Sequence, residues 1–188
     1  MPRYINVMTF HYNIDRFLAA GLPDPSELDR QGQWTWETLR ETARKLTRRD
    51  SDQAIHYGAT LSSQSLPRVL NWIWGAGGDL LDPQDPTKFV ADTPQAETGM
   101  QFLCSMMWED AIASPSFAHT GFLNGTVPII EEGMQGIFQF RDVIGDAFEW
   151  DSIRRPAGPV GRPGYLVDDS FGIWVDTRHP EEAWQLLK

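Results

Sequence analysis

The adjacent carboxylates Glu131 and Glu132 most invite a chemical reading of this sequence. Two carboxyl groups flanking a glycosidic bond can serve as acid and base, or as acid and nucleophile. Neighbours on a strand point to opposite faces, however, so this pair can share one bond only if the chain turns between them. The alternative roles are a strand-end acid that caps the next helix or one that binds a ligand hydroxyl. The four histidines, His11, His56, His119 and His179, show no i, i+4 pairing, no His-Glu-x-x-His and no Cys partner, so no metal is expected. Neither a G-x-G-x-x-G nor a Walker-type loop occurs, and no cofactor is implied. Gly75-Ala76-Gly77-Gly78 falls at a helix end, where the dipole repels an anion. No G-x-S-x-G elbow is present, and the single Cys104 reads as a small buried hydrophobe inside a helix.

Tryptophan is the unusual feature: there are 8, with Trp72 and Trp74 close to Ser62, Ser63, Gln64, Ser65 and Asn71. Residues two apart on a helix point about 200° apart, so one of these rings can be core while the other faces a cleft. Flat aromatic faces beside amides and carboxylates suit sugar rings, which stack through C–H faces and take several hydrogen bonds.

The elements that must position these groups follow from pattern. Tyr4–Tyr12 is rich in β-branched and aromatic residues and predicts a strand. Asn13 caps a short helix that Gly21 ends, and Leu22–Gly32, with Pro23 and Pro25, reads as a loop. Thr35 caps a helix whose apolar face is Trp36, Leu39, Ala43 and Leu46. A strand over Ala54–Leu61 and a helix over Leu66–Ala76 follow, the latter closed by Gly77-Gly78. Thr93-Pro94 opens a long helix reaching Asp110, with Ala96, Met100, Leu103 and Met107 as its buried stripe. Then come a short helix over Phe117–Leu123, a strand over Val127–Glu131, a helix from Met134 to Ile144, a strand near Phe148–Ile153, a Pro/Gly loop over Pro156–Gly164, a last strand over Phe171–Val175 and a helix from Pro180. Strands alternating with helices make this an α/β protein.

With 16 basic against 26 acidic side chains, the chain carries a formal net charge of −10, which works against binding nucleic acid, whose affinity rests on neutralised phosphates. Its apolar runs fall far short of the ~20 residues a bilayer-spanning helix needs, so no membrane insertion is expected. No signal peptide opens the sequence.

Several segments together resemble a known family. Tyr12-Asn13-x-Asp15-x-Phe17-x-x-Ala20-Gly21-Leu22-Pro23, Trp34-Thr35-Trp36-Glu37, Trp74-Gly75-Ala76-Gly77-Gly78-Asp79, Asp92-Thr93-Pro94, Glu132-Gly133, Pro156-Ala157-Gly158-Pro159 and His179-Pro180-Glu181-Glu182-Ala183-Trp184 occur in that order. The order and spacing resemble the extracellular solute-binding proteins of sugar ABC importers, the family that includes maltose-binding protein. The resemblance implies a type II periplasmic-binding-protein-like α/β fold, here mostly one lobe with a mixed sheet flanked by helices. On that pattern the chain is a fragment: residues 1–158 form a second-lobe α/β domain and residues 159–188 a crossover returning toward a first lobe.

The implied function is reversible binding of a mono- or oligosaccharide for delivery to ABC permease subunits, without catalysis. The implied location is periplasmic or extracellular, membrane-anchored in a full-length parent, with self-association of the fragment a further expectation. Carried over by position, the ligand-facing residues are Asn6, Thr9, Ser63, Gln64, Ser65, Asn71, Trp72, Glu132, Met134, Gln135, Asp168 and Asp169. Many relatives place a stacking Trp after Glu-Gly, where this sequence has Met134-Gln135. The alternatives are a hydrolase using Glu131 or Glu132, or a binder of polyols, glycerol-phosphates or polyamines; for a phosphorylated ligand Arg68 is the candidate cation.

Overall fold

A computed structural model describes residues 2–50 and 55–188, with the side chains of residues 2–4 and 169 left out. The chain opens on a long strand, β1 (Pro2–Asn13). Asn13 ends it by turning its side chain onto the Arg16 amide, which caps α1 (Ile14–Ala19). The stretch expected to be a loop contains α2 (Pro25–Arg30): Asp24 accepts from the Ser26 amide and Pro25 sits in the first turn. The prolines that suggested irregularity are start signals here, because a first-turn proline loses no helical hydrogen bond. Thr35 and Thr38 form a reciprocal cap at the head of α3 (Trp36–Leu46), whose Trp36, Leu39, Ala43 and Leu46 are all buried.

After β2 (Arg48–Arg49) come β3 (Ile55–His56) and β4 (Ala59–Thr60), two short pieces where one strand was expected; Ala54, its predicted first residue, lies outside the described residues. Helix α4 (Leu66–Gly75) ends as anticipated, with Gly77 in the left-handed region at φ +87°. Helix α5 (Pro94–Cys104) is capped by Thr93 and continues as a π-helical turn over Ser105–Glu109. The buried face of α5 runs through Ala96, Gly99 and Leu103, with Gly99 against the α4 backbone. Ala96, Leu103 and Met107 stay buried, but Met100 is 37% exposed and Cys104 is exposed, which corrects the expected stripe and the buried thiol.

The remaining elements are β5 (Ala113–Ser114), α6 (His119–Leu123), β6 (Ile129–Gly133), α7 (Gly136–Ile144), β7 (Trp150–Ile153), β8 (Leu166–Ser170) and α8 (Pro180–Leu187). The last strand was expected at Phe171–Val175. It lies earlier, because the backbone of Leu166–Ser170 pairs with β1 while Trp174 and Val175 are exposed at 72% and 87%.

The strand order is β5-β4-β6-β1-β7, with β8 also on β1. β4 runs parallel to β5 and β6, whereas β6, β7 and β8 are antiparallel to β1. β1 is the spine: residues 2–7 pair with β8, and residues 8–13 pair with β6 or β7. Apolar clusters cover both faces of the sheet. Phe10 and Tyr12 join Trp34, Trp36 and Trp72, along with α3, α4 and α5, on one face, and Ile130 joins Phe122, Phe140 and Ile144 on the other. Burying each such side chain contributes roughly 1.5–3 kcal/mol, so the aromatic-rich layer dominates the stability. Among the described residues, no helix is long and apolar enough to cross a membrane and no His/Cys/Asp/Glu group could hold a metal.

Candidate functional site

Open α/β sheets present ligand-binding groups beyond the carboxyl ends of their parallel strands, where loops lead into helix N-termini. In this chain that edge is where β4 passes through Leu61–Ser65 into α4 and where β6 passes through Met134-Gln135 into α7. Both helices begin without a side-chain cap on their first turns. The Arg68 and Ile137 amides of these first turns bond to the Ser65 and Met134 carbonyls, which leaves the Leu66 and Gly136 N–H groups without an acceptor among the described residues.

Glu132 organises this edge. Its Oε1 accepts from the Arg68 guanidinium at 2.9 Å, the Gly133 amide at 2.8 Å and the Gln135 carboxamide at 3.2 Å. Arg68 also donates to the Glu131 carbonyl at 3.0 Å and lies 4.6 Å from the Phe117 ring centroid. Gln135 accepts in turn from Asn6 Nδ2. Space for that contact comes from Gly133: a Cβ there would lie 2.0 Å from Gln135 Oε1 and 2.6 Å from Asn6 Nδ2. Thr9 Oγ1 donates to the Glu132 carbonyl at 3.1 Å. Four expected site residues, Asn6, Thr9, Glu132 and Gln135, are thus joined in one hydrogen-bonded chain, with Arg68 as a fifth member.

Beside this chain is a hollow of about 430 Å³ lined by Ile5, Asn6, Met134, Gln135, Ile137 and Phe138. Its walls are largely apolar, with Met134 47% and Phe138 72% exposed. Asn6 is buried, and among the described residues its Oδ1 has no hydrogen-bond partner. An acceptor left unpaired in this way costs about 1–3 kcal/mol.

The other expected residues are placed differently. Ser63 and Gln64 are exposed and Ser65 half-buried in the loop before α4, outside this hollow. Asn71 is buried and accepts from the Tyr165 amide at 3.1 Å, so it anchors the segment leading to β8. Trp72 is wholly buried, stacked on Phe102 and tilted against Trp36, so its ring has no exposed face for a ligand. Trp74, at the far end of α4, donates to Asp79 at 2.9 Å and lines a separate apolar hollow with Leu80 and Phe89. Asp168 is exposed opposite Ile5; the backbone of Asp169 pairs with Tyr4, and its side chain lies outside the described residues.

The two carboxylates do take opposite faces of β6. Glu131 points into the aromatic layer, fully buried and ion-paired with Arg155, whose guanidinium lies 4.9 Å from the Trp72 ring and 5.5 Å from that of Phe10. Glu132 points the other way, its Cγ within 2.9 Å of where a Cβ on Gly136 would stand. Each acid therefore has its own arginine, and no bond can lie between two free carboxyl groups. Tyr165 lies near both pairs. Burial raises its pKa, Arg68 opposes that shift, and Glu131 and Glu132 add to it. On the neighbouring strand, His11 is buried between Ser152 and Thr9, and burial pushes its pKa down to about 4 against hydrogen bonding with the Glu132 and Gly133 backbone. Sequence reading missed Arg155 and Tyr165; the available signal for Arg155 was the Arg154-Arg155 pair that directly follows β7, two strands from Glu131.

The family model for bacterial extracellular solute-binding proteins matches residues 1–188. The chain belongs to that family. A search of curated proteins finds no match to this solute-binding protein. Among solved structures it is similar to an ABC substrate-binding protein of Listeria monocytogenes in complex with cycloalternan, with a TM-score of 0.82 and 20% identity over 98% of this chain and 46% of that one. The GacH receptor of Streptomyces glaucescens, solved unliganded and with acarbose, gives a TM-score of 0.75 and 16% identity over 100% and 47% of the two chains. UgpB of Mycobacterium tuberculosis, in complex with glycerophosphocholine, gives 0.70 and 15% identity over 97% and 44%. The solute-binding protein thus spans about half the length of these structures. The resemblance read from sequence is correct, and so is the fold class: a mixed sheet flanked by helices in a periplasmic-binding-protein-like arrangement. The description of that family is of solute-binding proteins.

Proposed function

We propose that this solute-binding protein holds a neutral mono- or oligosaccharide reversibly, as the substrate-binding component of an ABC sugar importer. The observation that supports this reading is the Asn6–Gln135–Glu132–Arg68 chain at the carboxyl edge of β4 and β6. Its carboxamides are uncharged and its Arg68–Glu132 pair carries no net charge, which suits hydroxyl groups. The sugar complexes among structurally similar proteins point the same way.

A second reading, a glycerophosphodiester ligand, draws on the glycerophosphocholine complex of a similar structure and on Arg68. Arg68 is already paired with Glu132, however, so a phosphate would have to displace a carboxylate that holds it at 2.9 Å. Bond cleavage is disfavoured by the same pairing, since a hydrolase needs both acids at one bond.

In this reading residues 1–158 form one lobe, and residues 159–188, through β8, return along β1 toward another. The partners are the permease subunits of the importer, and the protein works outside the cytoplasmic membrane, tethered through its parent chain. Thermal melts against a panel of sugars test the proposal. A ligand at 100 times its dissociation constant adds about 2.7 kcal/mol, roughly 5–10 °C for a chain of this size. A melt that no saccharide moves and that glycerophosphocholine raises would replace this reading with the second.

A further inference from the structure

We propose that the ligand is an N-acetylated amino sugar whose acetamido group occupies the hollow beside Asn6. This rests on the saccharide-binding reading and goes further by fixing the chemistry of one substituent.

The argument starts from the direction of the hydrogen-bond chain. A carboxylate in an ion pair accepts and does not donate. Glu132 is held by Arg68, so Gln135 must turn its NH₂ toward Glu132 and its Oε1 toward Asn6. Asn6 must then present its own NH₂ to Gln135, which leaves Oδ1 as the unpaired end. Flipping either amide would set oxygen against oxygen, so the orientation is forced. The site therefore lacks a donor, and an incoming ligand has to supply one.

The surroundings of that acceptor narrow the donor further. Ile5, Met134, Ile137 and Phe138 make the hollow largely apolar, so the group that brings the donor also brings an apolar part. α7 starts at the same place, with Gln135 at its head making no side-chain cap, and its first N–H, that of Gly136, has no acceptor among the described residues. A plain hydroxyl meets only the first demand. An acetamido group meets all three: its N–H donates to Asn6 Oδ1, its methyl enters the apolar hollow and its carbonyl accepts at the α7 N-terminus. Met134 is an exposed side chain that can swing aside to admit it, while Gln135 keeps its bonds to Asn6 and Glu132.

Calorimetry of the full chain with matched pairs tests this: N-acetylglucosamine against glucose, N-acetylgalactosamine against galactose, and N,N′-diacetylchitobiose against cellobiose. The expected result is at least about tenfold tighter binding of the acetylated member of one pair, the worth of one hydrogen bond and one buried methyl. Phe138→Ala, at an exposed position, should cut that preference several-fold while leaving the melting temperature unchanged. Equal or tighter binding of the unacetylated members would overturn this inference and leave saccharide binding standing. Absence of heat with all six sugars would also overturn this inference, and the saccharide reading would then be decided by the wider panel of melts.

Discussion

Replacing Arg155 by methionine tests what holds the centre of the sheet together. Methionine is an unbranched apolar side chain that removes the guanidinium lying against the Phe10 and Trp72 rings. Glu131 is then left with 0% exposure and no counter-ion, its Oε2 already lacking a partner among the described residues. Removing one member of a buried pair costs about 3–5 kcal/mol, because the remaining charge stays desolvated. At roughly 2–4 °C per kcal/mol for this size, Arg155→Met should lower the melting temperature by roughly 6–20 °C. Glu131→Gln in the same chain removes the stranded charge and should recover at least about half of the loss, a coupling of order 1–3 kcal/mol. Urea titrations of the parent, both single variants and the double variant, followed by circular dichroism, give the cycle. A single Arg155→Met variant within about 1 kcal/mol of the parent, or a double variant less stable than it, would refute the idea that an uncompensated charge is the cost.

Two further outcomes follow from the packing. His11 is neutral and buried with its pKa lowered to about 4, so the unfolded chain takes up the proton first; stability is full above pH 6.5 and falls by up to about 3 kcal/mol as pH drops toward 4. Urea midpoints at pH 7.5 and 4.5 measure this, and His11→Gln should flatten the difference. At Gly58 an added Cβ would stand 2.0 Å from the Ala43 carbonyl oxygen, a backbone atom that cannot step aside, so Gly58→Ala should cost about 3 kcal/mol; an unchanged melt would contradict the close approach of β4 and α3.

Much of the scaffold was legible in the sequence because local signals and tertiary needs agree there. Asn13, Thr35 and Thr93 cap the helices they were expected to cap. The misreadings share a cause: the deciding interaction is non-local. The last strand is set by pairing with β1, which Leu166–Ser170 reach and Phe171–Val175 do not. Met100 and Cys104 surface because the buried face of α5 runs through Ala96, Gly99 and Leu103, and Gly99 sits against the Trp72 and Ile73 backbone of α4, a contact between helices that apolar spacing does not reveal. At the site, Asn6, Glu132 and Gln135 could be named from family resemblance, yet their joining depends on a 129-residue separation closing between Asn6 and Gln135. Trp72 looked like a platform for a sugar. Its burial follows from Trp36 and Phe102, two helices' worth of rings that no spacing rule brings together.

Strand β1 changes neighbours between Val7 and Met8, where β8 gives way to β6. One peptide unit thus joins two sets of cross-strand bonds, and any swing of the β8 side must be absorbed as torsion there. Asn6 lies one residue before that joint, and the Val7 carbonyl receives the Met134 amide at 3.1 Å. Bending the strand therefore tugs on the head of α7, and a guest lodged against Asn6 would stiffen the joint in return, so that occupancy and curvature report on one another through a single backbone.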